Sequence, residues 1–193
     1  MGHREDLLEG AKRCLLKKGF ARTTARDIVK ESGTNLASIG YHYGSKDALL
    51  AQAYLSLVGE TGDAFGPDSG EFSTPPGSLE RFGEVWSGII ATMGPGSVWR
   101  LTMEVLTMGD RLPEVRERLA QAQGEAGRGL MGILLDVPEE DIPDDQADTL
   151  GKLCSTLMTG VIAQWAFDPK TAPTADELTE GMRALMEAAQ RAR

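Results

Sequence analysis

The feature that most constrains this chain is the punctuation of its first fifty residues. Leu7, Leu8, Ala11, Cys14 and Leu15 recur at helical spacing, and Gly19 follows them as a C-terminal stop. Thr23-Thr24 opens a second, shorter stretch carrying Ile28 and Val29, which Gly33 closes. Asn35 opens a third that runs to Tyr43, and Gly44 closes it. Ser45 then caps a fourth containing Leu49, Leu50, Ala53, Tyr54, Leu57 and Val58. The first three stretches predict three short helices with a glycine in the second turn. That is the pattern of a helix-turn-helix, whose last helix can enter a DNA major groove.

The rest of the chain repeats the helical period without any strand-like alternation. Residues Gly62 to Gly77 are rich in Gly, Pro, Ser and Asp and read as a loop. Leu79, Phe82, Val85, Trp86, Ile89, Ile90 and Met93 form the next stripe, followed by Val98 to Met108 and by a run from Pro113 to Leu135. An acidic, proline-bearing connection from Asp136 to Asp145 precedes two closing helices, about Ala147–Ala166 and Ala175–Ala192. The expected fold class is all-α, with about nine helices. Residues 1–47 are expected to be a helix-turn-helix domain and residues 48–193 a helical effector-binding and dimerisation domain.

Composition enters through its distribution. With 41% hydrophobic and 25% charged residues the chain can bury a core, which argues against disorder. The net charge of −9 argues at first against nucleic acid. Yet residues 1–50 hold nine Lys/Arg against six Asp/Glu, and the remainder holds 11 against 23. A basic head on an acidic body suits a protein that meets a polyanion with one end. No run of about 18 apolar residues suggests a membrane span, and the charged start lacks a signal-peptide core, so the expectation is a cytoplasmic protein without membrane contact. Cys14 and Cys154 stand far apart and read as buried thiols.

The third helix carries the chemistry. Ile39 and Tyr43 share a face that should pack against Leu15, Phe20 and Ile28, while the wheel sets Leu36 near that buried side. About 160° round from Ile39 lie Ala37 and Tyr41, flanked by Ser38 and Gly40. This face suits base edges: the Ala37 methyl against a thymine methyl, Ser38 as a short donor or acceptor, Tyr41 reaching base or phosphate. Lys46 stands in the first turn of the fourth helix, where a cation opposes the positive helix end unless an anion arrives. With the open amides of that turn it makes a phosphate site, and Thr24, capping the second helix, a weaker one.

Residues 33–49, GTNLASIGYHYGSKDAL, resemble the signature of the TetR family of repressors. ARTTARDIVKESG resembles the family's second helix. Gly40 replaces a common tyrosine, and Tyr43 replaces the usual core phenylalanine, so its hydroxyl must find water or a partner. The resemblance implies that Thr24, Tyr41, His42 and Lys46 hold phosphates while Leu36, Ala37, Ser38 and Tyr41 read bases. It implies a transcriptional regulator, not an enzyme: a repressor on palindromic double-stranded DNA, released by a small apolar or amphipathic effector. The alternative is a protein of the same build without an effector.

It further implies a homodimer in which the last two helices pair with their counterparts. Leu150, Leu153, Cys154, Leu157, Met158, Val161, Ile162 and Trp165 cover more than one face of the penultimate helix, and Leu178, Met182, Leu185 and Met186 stripe the last. Leu157, Val161, Leu178, Met182 and Leu185 are the expected interface. Trp86, Met93, Trp99, Met103, Met108 and Trp165 are the candidates for lining a ligand pocket, with Arg100, Glu104 or Gln164 as polar anchors. Other signals carry little. Gly127 to Gly132 matches GxGxxG but has no strand before it. His3, His42 and two distant cysteines cannot assemble a metal site, and no cofactor is expected.

Overall fold

The computed structural model describes residues 2–63, 72–94, 96–108 and 113–192, without the side chains of residues 63, 106, 108, 113–116, 118 and 119. Among them all regular structure is helical, with nine α-helices of eight residues or more: α1 (His3–Lys18), α2 (Ala25–Ser32), α3 (Leu36–Tyr43), α4 (Lys46–Asp63), α5 (Leu79–Ala91), α6 (Val98–Met108), α7 (Pro113–Leu135), α9 (Lys152–Phe167) and α10 (Ala175–Arg191). A one-turn α8 (Asp144–Gln146) lies before α9. The helices pack as two compact units, residues 1–62 with 95–118 and residues 63–94 with 119–193. Helix α6 therefore belongs with the N-terminal helices, although α5, which precedes it in the chain, does not.

In the first unit the caps form where the sequence places them. Thr24 Oγ1 accepts from the Asp27 amide, Asn35 Oδ1 from the Ser38 amide at 3.1 Å, and Ser45 Oγ from the Ala48 amide at 3.0 Å. Each satisfies one of the orphan donors of a helix start. Gly33 ends α2 in the left-handed region (φ 70°), which glycine adopts without a Cβ clash. Helices α1, α2 and α3 pack on one another and bury Leu7, Ala11, Leu15, Phe20, Ile28 and Ile39, while Leu49, Leu50 and Tyr54 of α4 and Leu101 of α6 are equally buried. A side chain of that size stabilises by about 1.5–3 kcal/mol when fully buried. The Tyr43 hydroxyl finds its partner in α1, donating to the Arg4 carbonyl at 2.6 Å.

Helix α6 joins this unit through a polar clamp. Glu104 accepts from the Phe20 amide at 2.7 Å and from Arg100 Nη1 at 3.0 Å, and Arg100 Nη2 donates to the Leu16 carbonyl at 3.4 Å. A carboxylate thus meets the chain just past the end of α1. Gly19 is required there twice, by its φ of 77° and because an added Cβ would strike the Glu104 carboxylate. Glu104 and Arg100, expected as anchors for a ligand, are committed to this clamp instead. Lys12, buried in α1, is held by Glu9 and by Glu60 of α4, and these carboxylates outweigh burial and raise its pKa.

The second unit is built on α5, most of α7, α9 and α10, with Phe82, Val85, Trp86, Ile89, Met131, Cys154 and Ile162 in its core. Both cysteines are buried thiols, as expected. Residues 64–71 of the expected loop lie outside the described residues; its far end is pinned by the buried Arg81. That guanidinium donates to the Thr74 carbonyl from Nε (3.1 Å) and Nη2 (2.8 Å) and lies 4.5 Å over the Phe72 ring. Carbonyl dipoles and a π-face here replace the carboxylate that a buried cation usually needs.

The connection from Asp136 to Asp145 differs from a plain loop. It holds a 3-10 turn (Glu139–Asp141) and the start of α8, each begun after a proline. The penultimate helix also starts differently, with a wide π turn over Ala147–Gly151 before α9 proper. Helix α7 packs closely on this turn: a Cβ on Gly127 would sit 2.9 Å from the Gly151 carbonyl carbon, so only glycine fits there. The GxGxxG glycine is a close-packing point inside a helix, not a phosphate loop.

Candidate nucleic-acid interface

Helix α3 presents Leu36, Ala37, Gly40 and Tyr41 to solvent, with Leu36 53% and Tyr41 85% exposed. Leu36 corrects the wheel, which set it near the buried side. Only Ile39 of this eight-residue helix is fully buried, and Tyr43, half-buried, completes the inner face. Ser38 is half-buried. His42 is half-buried too, its ring edge-on to Tyr41 at 4.8 Å between centroids.

Two helix starts flank this helix in sequence. At α4, Ser45 caps, and the first-turn amides of Lys46 and Asp47 have no intrahelical acceptor. Lys46 Nζ donates to the Thr23 carbonyl at 3.4 Å and pairs with Asp47 at 2.9 Å. It therefore ties the start of α4 to the turn that begins α2. Thr24 stands next to that carbonyl and is exposed, so Lys46 and Thr24, predicted separately, come together.

Their states differ. The Thr24 hydroxyl and amide both donate to Asp27 Oδ2, at 2.8 and 2.9 Å, in a reciprocal capping box. Lys18 Nζ, 2.6 Å from Asp27, and the Thr24 donors hold that carboxyl far below the usual carboxylate range. The α2 start already carries an internal anion, and a phosphate there must draw the Thr24 hydroxyl away from Asp27. Glu31 is likewise engaged by Arg13 at 2.9 Å and Lys17 at 3.2 Å. Arg22, Arg26 and Lys30 are exposed and form no ion pair among the described residues, so they are open to an outside anion; Arg4, also exposed and outside any ion pair among them, lies over the Tyr43 ring. Sequence reasoning missed Arg22, Arg26 and Lys30, although the surplus charge of the head contained them. It also missed Thr23, buried and donating to the Gly19 carbonyl at 2.6 Å, which fixes the turn that Lys46 reaches.

The residues expected in the body fall in both units. Trp86 and Met93 are buried in the second unit, and Trp165 is half-buried on α9. Trp99 and Met103, half-buried on α6, belong to the first; the Met108 side chain lies outside the described residues. Of the expected interface, Leu157, Leu178 and Met182 are half-buried and Leu185 is 65% exposed. Val161 is 3% exposed and has found its packing within a single chain. Leu150, Leu153, Phe167 and Met186 add exposed apolar surface on or beside the same helices, and Gln164 is exposed.

Residues 7–53 match the family model for bacterial regulatory proteins of the tetR family. The HTH-type transcriptional regulator TtgR of Pseudomonas putida is 25% identical over 171 residues, spanning 86% of this chain and 81% of that protein. The HTH-type transcriptional repressor AcnR of Corynebacterium efficiens is 33% identical over 61 residues, 30% of this chain and 32% of its own. In fold, the multidrug binding protein EbrR, solved with proflavin, superposes with a TM-score of 0.62 at 17% identity, covering 95% of this chain and 99% of that one. Residues 7–53 thus carry the helix-turn-helix of tetR-family regulatory proteins, and the chain as a whole is similar to transcriptional regulators of that family in sequence and in its all-helical fold.

Proposed function

We propose that the protein is a cytoplasmic, homodimeric repressor that leaves a palindromic operator when a small apolar or amphipathic ligand binds. Residues 1–47 grip the DNA and residues 48–193 bind the effector and dimerise. Thr24, Tyr41, His42 and Lys46 take phosphates, and Leu36, Ala37, Ser38 and Tyr41 face bases. The observation that carries this reading is the convergence at the α2 and α4 starts, where Lys46 Nζ reaches the Thr23 carbonyl beside the exposed α3 face. The names of TtgR and AcnR as regulator and repressor, and of EbrR as a multidrug binder, support it from outside. Trp86, Met93, Trp99, Met103, Met108 and Trp165 are the aromatic and methionine side chains proposed to meet the effector. Leu157, Leu178, Met182 and Leu185 form the proposed interface. Val161 supports it from within. No helix among the described residues is long and apolar enough to cross a membrane.

A second reading, the same regulator without an effector, is favoured by the burial of Trp86 and Met93 in the core of their own unit. Two titrations test the scheme. In the first, affinity for an enriched duplex falls steeply with salt, and Lys46→Ala flattens that slope by about one unit. An unchanged slope removes Lys46 from the phosphate contacts. In the second, proflavin as a probe ligand is titrated with and without the duplex. Linkage requires a ligand that releases DNA to bind more weakly in its presence, by about 5- to 150-fold for a coupling of about 1–3 kcal/mol. Equal affinities mean that this probe is not an inducer.

A further inference from the structure

Helix α3 carries no arginine, lysine, asparagine, glutamine or acidic residue anywhere between Leu36 and Tyr43. The bidentate pairings that distinguish guanine and adenine in the major groove use such groups, arginine or lysine on guanine and asparagine or glutamine on adenine, whereas the half-buried Ser38 can bond either base. Asn35 precedes the helix, but its side chain is engaged in capping. What α3 offers is a contiguous apolar arc. Leu36, Gly40, Ala37 and Tyr41 fall within about 140° of the helix circumference, in that order round the axis. All four are exposed, and a Cβ placed on Gly40 would meet nothing within 4 Å, so the glycine leaves a notch between the Leu36 side chain and the Ala37 methyl. The only apolar group a base pair displays in that groove is the thymine C5-methyl. The surrounding charge fits the same occupant: Lys46, Arg22, Arg26 and Lys30 belong to the same packing unit and suit a polyanion, not an apolar protein partner.

We propose that each operator half-site is read through thymine methyls, at least two adjacent ones seating against Leu36, Ala37 and the Gly40 notch. Tyr41 closes one edge of this patch, and its hydroxyl makes the accompanying hydrogen bond. This specificity rests on the DNA-binding reading above and goes beyond it by naming the chemical group that the helix selects.

The test begins with full-length protein and a randomised duplex library. The enriched duplex is then resynthesised with deoxyuridine in place of thymidine, one position at a time, which removes the methyl and leaves the Watson–Crick edge intact. At two or more positions in each half-site, binding measured by fluorescence anisotropy should weaken about fourfold per methyl, the equivalent of one buried CH₂. Changing both half-sites together should cost about 15-fold. The variant Leu36→Ala with Ala37→Gly, at exposed positions, should still bind but no longer tell thymine from uracil. Three outcomes overturn the inference while leaving DNA binding intact: no uracil position costing more than twofold, 7-deazaguanine costing more than any uracil, or a double variant that keeps the discrimination. A library that yields no enriched duplex overturns the DNA-binding reading itself, and the inference with it.

Discussion

Helices α3 and α10 both leave large apolar side chains open to water, yet the charges that accompany the two patches differ. On α3 the exposed Leu36 and Tyr41 sit on a helix without one Asp, Glu, Lys or Arg, in a unit where Arg22, Arg26 and Lys30 are exposed and form no ion pair among the described residues. On α10 the exposed Leu185 and Met186 are interleaved with self-neutralising pairs, Glu180 with Arg183 and Glu187 with Arg191. Helix α10 also packs along α5, where Thr179 closes on Gly83, so one side of it is already satisfied. An apolar centre in a unit with exposed cations fits a polyanion that carries methyl groups. The same centre with balanced charges fits a second copy of an apolar surface. Hydrophobicity alone would not have separated the two; the charge around it does.

The sharpest way to break this contrast is to put charge into the α10 patch. Leu185→Glu with Met186→Glu changes two exposed side chains, so the fold of the single chain should survive, with an unchanged helical circular dichroism spectrum. Sedimentation should then report monomers in place of the dimer proposed for the parent chain. Operator affinity should fall roughly 100-fold or more, because two linked half-site contacts become independent ones. A double variant that remains dimeric and binds normally would place the interface elsewhere. Val161 is the wrong residue for this experiment: it is already sealed within the chain, and a charge there would unfold the protomer first.

The second prediction concerns how the reading unit is held. Glu104→Ala removes the acceptor of the Phe20 amide and the partner of Arg100. Hydrogen bonds to charged groups are worth about 1.5–3 kcal/mol, and partial exposure of this carboxylate reduces that to about 1 kcal/mol. For a chain of this length the melting temperature should fall by about 2–4 °C. Glu180→Ala on α10, which removes only a surface pair, should change it by less than about one degree. Equal shifts in the two variants would mean that the clamp contributes no more than a surface ion pair.

What could be read in the sequence divides along the same physical line. Caps are local, so Thr24, Asn35, Ser45 and Gly33 announce α2, α3 and α4 from within a few residues of each helix end. Ile39 follows from helical spacing alone. Leu36 misleads because an eight-residue helix is too short for periodicity to show where its neighbours stop covering it. The Glu104–Phe20 bond joins residues 84 apart and leaves no local trace. The same holds for Arg81, whose partners are carbonyls and a ring and not a complementary charge, and for the π turn over Ala147–Gly151 that packs on Gly127. The engagement of Thr24 is different. Thr24-Ala25-Arg26-Asp27 has the spacing of a capping box, so the carboxylate that competes with a phosphate is legible in the sequence itself.

That competition supplies the smallest expected effect. Asp27 fills the anion position at the start of α2, so Asp27→Asn should trade stability for DNA affinity. In the folded chain its pKa lies below the ordinary 3.8, held there by Lys18 and by the Thr24 donors. A carboxylate with a lowered folded pKa stabilises the fold at pH values above its unfolded pKa, and that contribution is lost as pH falls towards the folded value. Stability measured by denaturant titration should therefore decline in the parent chain below about pH 4, and decline less steeply in Asp27→Asn. At neutral pH the variant should be the less stable of the two, because the amide keeps an acceptor for Thr24 but gives up the pairing with Lys18. It should also bind the operator about two- to fivefold more tightly, since Lys18 and the positive end of α2 are then open to a phosphate. A weaker operator complex would mean the reverse: Asp27 serves DNA binding by orienting Thr24, and the start of α2 takes no phosphate of its own.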